Sequence, residues 1–106
     1  MSDNHNLGKR DETLAGVAGA HCVLSQQCVN LMIACATDKS VLENGGHVSR
    51  RGYDLTPASA RHRLQIAEQL HVAAVTLGGA IQLAHPHQAA FLDLHIRALG
   101  EMVDAL

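Results

Sequence analysis

The apolar side chains of this chain fall into helical stretches separated by two breaks. Leu14, Val17, His21, Leu24, Cys28, Leu31 and Cys35 follow one another at alternating steps of three and four. That spacing holds one helix face against a partner over three heptads. A second stripe, Cys22, Val29, Ile33 and Ala36, lies beside the first, and the polar strip is narrow, mainly Gln26, Gln27, Asn30 and Thr37. A helix apolar on most sides belongs in the centre of a bundle or in an interface. This helix is therefore expected to be the most buried of the set.

Helix signals weaken at Thr37-Asp38. Either Asp38 caps a new turn carrying Val41 and Leu42, or the first helix bends and continues; Gly45-Gly46 ends it in both cases, because glycine takes the left-handed conformation a helix terminus wants. Residues 45–55 hold three glycines and no helical period, so they read as a loop. Thr56-Pro57 then opens a helix, the hydroxyl serving as N-cap and the proline as first helical residue. Ile66, Leu70, Ala73, Leu77, Ala80 and Ala84 form its stripe, with Ala67, Ala74, Gly78 and Ile81 on a neighbouring face. The pair Gly78-Gly79 costs about 1 kcal/mol per residue in helix propensity. Close approach of another backbone, or a local kink, is the expected compensation.

His85-Pro86-His87 breaks this helix, and Pro86 opens the last one. Its stripe is Leu92, Ile96, Leu99, Val103 and Leu106, with Phe91, His95 and Met102 at the edges and Asp93, Arg97, Gly100, Glu101 and Asp104 on the opposite face. The pattern predicts a flexible N-terminal tail over residues 1–11 and a single all-α domain over 12–106, a small bundle of three to four helices at about 12–36, 38–44, 57–84 and 86–106.

Composition sharpens this picture. Hydrophobic residues make up 47% of the 106 and charged residues only 17%, against about 25% charged in ordinary soluble domains. The chain is too apolar for disorder and is expected to hide part of its surface against another polypeptide, which makes a homodimer the simplest arrangement. Tyr53 and Phe91 are the only aromatics, too few for stacking on single-stranded nucleic acid. The formal charge of −2 argues against a DNA-binding surface. The polar start gives no secretory signal, and the three cysteines are expected reduced in the cytoplasm. Ser25, Gln26, Gln27 and Asn30 interrupt the longest apolar run, so no transmembrane segment is expected.

Candidate chemistry changes little. The cysteines stand six and seven residues apart and no two histidines are three or four apart on a helix, whereas zinc sites show paired ligands. A site between helices, such as His21 with Cys28 and His71, is the remaining metal arrangement; no metal or other cofactor is expected. No nucleophile elbow, phosphate-cradling loop, zinc-protease helix or dinucleotide fingerprint occurs, so no catalytic residue is assigned and the chain reads as a binding protein. Leu24, Cys28, Leu31 and Cys35 are expected to form the core or a dimer seam. The loop residues His47, Arg50, Arg51 and Tyr53 are candidate partner contacts, because Tyr and Arg are enriched at interface hot spots.

The opening MSDNHNLGKRDETLAGVAGAHCVLSQQCVNLMIACA (residues 1–36), the loop GGHVSRRGYDLTP (45–57) and the small size resemble the QslA-type quorum-sensing antiactivators of pseudomonads. The resemblance implies a non-enzymatic helical dimer that binds the ligand-binding domain of a LuxR-type, LasR-like transcription factor. Such binding blocks receptor dimerisation and DNA binding. It carries over no contact residues, since no family motif marks them. The rival expectations are a thiol- or metal-responsive sensor using Cys22, Cys28, Cys35 and nearby histidines, and another small helical inhibitor or adaptor.

Overall fold

A computed structural model describes residues 12–106; the tail expected over residues 1–11 lies outside them. Three helices, α1 (Leu14–Glu43), α2 (Pro57–Leu83) and α3 (Ala89–Ala105), form an all-α bundle, with a two-stranded hairpin, β1 (Ser49–Arg50) and β2 (Tyr53–Asp54), between α1 and α2. The molecule is a slab of 57 × 29 × 15 Å. In its thin direction there is room for two layers of helix.

The start of α2 is as the sequence predicts, and α1 has a cap of its own. The Thr13 hydroxyl accepts from Gly16 N–H at 3.1 Å at the head of α1. Thr56 caps α2 in a reciprocal box with Ser59, and Pro57 is its first residue. At the end of α1, Gly45 takes φ +82°, while Gly45 N–H donates to Leu42 O and Gly46 N–H to Val41 O. This double return is the Schellman termination. The last helix departs slightly from expectation: Pro86–Gln88 form a separate 3-10 turn before α3 begins.

Two expectations fail in the first helix. The short helix over 38–44 does not exist, because α1 runs unbroken to Glu43. Thr37 spends its hydroxyl on Ile33 O within the helix, and the Asp38 carboxylate is held by Arg50 instead of capping a new turn. Nor is α1 the most buried helix. Five of its 30 residues are buried, against five of 17 in α3. One face of α1 meets α2 and α3, and a slab this thin leaves the rest uncovered.

The first heptad seam is the core. Val17, Leu24, Cys28 and Cys35 are buried, and Leu14 and Leu31 pack against them. α2 lies antiparallel to α1 and supplies Ala67, Leu70 and Ala74, while α3 closes one side with Leu92, Ile96 and Leu99. Ala73 and Ala80, expected in the α2 stripe, are exposed. Asp93, expected on the polar face of α3, is buried and paired with Arg97 at 3.0 Å.

The α2 glycines find a different compensation from the one expected. A Cβ on Gly78 stands 2.7 Å from the His21 ring, whereas a Cβ on Gly79 meets nothing within 4 Å. The notch at Gly78 thus admits an imidazole, not a backbone. His21 Nε2 lies 2.7 Å from Ala74 O; a carbonyl only accepts, so that nitrogen carries the proton. The expectation about membranes also changes. α1 is long and apolar enough to cross one by length and composition, because its polar interruptions are uncharged and no Asp, Glu, Lys or Arg occurs from Leu14 to Thr37.

Candidate interaction surface

The loop over 45–55 folds into a tight hairpin. Ser49 pairs with Asp54 and Arg50 with Tyr53. Arg51 and Gly52 both take positive φ, 53° and 81°, which is the signature of a two-residue turn whose twist matches its strands. Glycine does this freely; arginine does it at about 1 kcal/mol. Arg51 offsets that strain by donating to the main-chain oxygen of Asp104 at the end of α3.

Three of the four candidate contacts in this loop are engaged inside the molecule. Arg50 grips the buried Asp38 carboxylate with two hydrogen bonds, 2.9 and 2.6 Å, and that pairing holds its own guanidinium pKa up. His47 sits 3.1 Å from Asp54. The Ser49 hydroxyl and then the His47 ring lower the Asp54 carboxyl below its ordinary value. Arg51 reaches α3, as above. Tyr53 makes no such contact and is 75% exposed, and the other three also keep exposed surface. The loop therefore also ties α1 to the end of α3. Arg63 of α2 reaches the same end by donating to the main-chain oxygen of Leu106.

The cysteines divide in the same way. Cys22 is exposed, and Cys28 and Cys35 are buried free thiols. Burial pushes the Cys28 thiol up from its ordinary value of 9.0. Burial also raises Cys35, partly opposed by the Arg63 charge beside it. The Cys28 thiol points at Leu70 O, 3.8 Å away. Among the described residues no group of three or more His, Cys, Asp or Glu is placed to hold a metal ion, so His21, Cys28 and His71 do not come together as a ligand set. Leu24, Cys28 and Cys35 are buried and Leu31 half-buried. The four belong to the core of one copy.

The open surface lies elsewhere. α2 and α3 diverge around the small residues Ala73, Ala80 and Ala98, leaving a groove of about 510 Å³. Leu70, Leu77 and Leu99 floor it, and Gln69, Thr76, His95 and Met102 edge it. No charged side chain lines it. Beyond its ends the apolar surface continues through Phe91, Leu94 and Met102, each more than half exposed, and Leu83 at 85%. The Phe91 ring meets His95 edge-on at 4.6 Å, and His85 stacks on His87 at 5.6 Å. The sequence signal for this groove was present: residues 69–84 contain no Asp, Glu, Lys or Arg. What the stripe reading missed is that Ala73 and Ala80 are too small to close against α3.

No family model, curated protein or solved structure matches this chain.

Proposed function

We propose that this chain is a non-enzymatic helical regulator of transcription, an antiactivator that binds the ligand-binding domain of a LuxR-type, LasR-like quorum-sensing transcription factor. Occupying the surface through which that factor dimerises prevents it from dimerising and from binding DNA. The observation that carries the reading is the uncharged α2–α3 groove with its exposed apolar margins. A surface of this kind recognises a partner by buried apolar area and shape, and needs no reaction. From Gln69 to Ala80 it runs about 16 Å at 1.5 Å per residue, the length of about three helical turns. One amphipathic helix of the partner fits it. The choice of receptor comes from the resemblance of residues 1–36 and 45–57 to the antiactivators. The surplus of apolar surface supports a homodimer as the free form.

Co-expression with a tagged LuxR-type ligand-binding domain tests the reading. The two are expected to co-purify, and the full receptor is expected to lose its operator gel shift when this chain is added. Ala73→Glu and Ala98→Glu, both at exposed positions in the groove, are expected to abolish capture while leaving the melting temperature unchanged. A receptor domain that purifies alone, with its gel shift intact, overturns the proposal.

A further inference from the structure

The seam of α1 that faces α2 has a neighbour one residue further on. Ala15, Ala18, Cys22, Ser25, Val29, Met32 and Ala36 also follow at alternating steps of three and four, again over three heptads and again without a charge. Ala15, Cys22 and Ala36 are exposed and the other four half-buried. α3 does not cover this stripe: it packs on the other side of α1, where Ala20, Val23, Leu24 and Gln27 meet Ile96, Arg97 and Gly100. On α2 the half-buried Leu64 and His71 and the exposed Val75 continue the same face, with Glu68 at its rim.

We propose that this second seam is the surface on which two copies pair, with their α1 helices antiparallel. The inference rests on the self-association in the reading above and supplies its geometry. The uncharged length of α1, 24 residues from Leu14 to Thr37, extends about 36 Å, and two adjacent helices are about 20 Å wide. Face to face, two hairpins bury about 1,400 Å² in total, within the range of a stable specific interface. The alanines, Cys22 and Ser25 are small enough for helices to approach at the close end of interaxial distances. A two-fold axis across the helices sets α1 on α1 and α2 on α2, covering both. An axis along the helices that keeps α1 on α1 slides the hairpins apart and leaves α2 bare. In the antiparallel arrangement the midpoint of the seam falls between Ser25 and Gln26, so Cys22 of each copy faces Val29 of the other.

Native Cys22 makes this testable. In Val29→Cys, oxidation with diamide, which takes up the two thiol hydrogens, is expected to give a covalent dimer on a non-reducing gel, while wild type stays uncrosslinked. Cys22 and position 29 of one helix lie about 10 Å apart along the axis and cannot join within a copy. Cys22→Glu, at an exposed position, is expected to sediment as a folded monomer, whereas Val23→Glu, on the α3 side, remains a dimer. Wild type that crosslinks as readily as the variant, or a Cys22→Glu protein that remains dimeric, overturns the proposal. Receptor-domain capture is read on the same samples. A dimer that crosslinks as expected but captures no receptor ends the functional reading and leaves this seam standing; wild type that is monomeric yet captures receptor does the reverse.

Discussion

The two ends of the α1–α2 hairpin are held by different forces. At the turn end, charged hydrogen bonds set the geometry: Arg50 on buried Asp38, and Arg51 and Arg63 on the last main-chain oxygens of α3. Cations at a helix C-terminus also complement its dipole. At the open end α1 carries no Asp, Glu, Lys or Arg from Leu14 to Thr37 and α2 none from Gln69 on; the pair Asp93–Arg97 is supplied by α3. Fit there is a matter of volume: Val17, Leu24, Ala74 and Leu92 fill the core, and the His21 ring occupies the notch at Gly78. The turn end uses several of its polar groups internally, and the open end leaves apolar faces exposed.

The comparison is broken most severely by deleting core volume at the open end. Leu24→Ala is expected to cost about 3 kcal/mol, the usual price of a buried leucine, in a urea melt. Leu94→Ala, on exposed surface, should change stability by less than about 0.5 kcal/mol. Equal losses from the two would mean that the exposed margin is packed after all. At the turn end, Asp38→Ala removes a buried carboxylate from a half-exposed arginine and should cost about 2 kcal/mol, less than for a fully buried pair.

The adjacent glycines give a smaller effect with opposite signs. Gly78→Ala drives a Cβ into the His21 ring and is expected to destabilise by about 1 kcal/mol after its gain in helix propensity. Gly79→Ala meets open space and should stabilise by up to about 1 kcal/mol. Thermal melts that move both ways together would remove the notch from the account.

The smallest effect is alkaline. Buried Cys28 and Cys35 hold their protons above the ordinary value of 9.0, so the unfolded chain ionises first. The stability they contribute is complete below about pH 9 and declines as pH rises through that value and beyond. The same burial means that Ellman's reagent should leave Cys28 and Cys35 unreacted in native protein and titrate all three thiols in denaturant. Rapid reaction of all three in the native state would show that the seam opens.

Much of this architecture is legible one residue at a time. Thr56-Pro57 and Gly45-Gly46 mark helix ends because caps act through neighbouring backbone groups, and the 14-to-35 seam follows from period alone. Harder to read was anything requiring a distant partner. Asp38 looks like a cap until Arg50, twelve residues on, takes its carboxylate. Arg50 and Arg51 look free until the hairpin ties them to Asp38 and to the end of α3. The α2–α3 groove exists only because Ala73, Ala80 and Ala98 face one another across two helices.

The sequence by itself determined an all-α chain, two of its helix ends and an apolar surplus, since these depend on local propensity and on the period of the pattern. Tertiary structure decided which of the two α1 seams is buried, which polar groups latch the turn end, and where the surplus stays open. Those outcomes depend on contacts between residues far apart in the chain, and period and composition are blind to them.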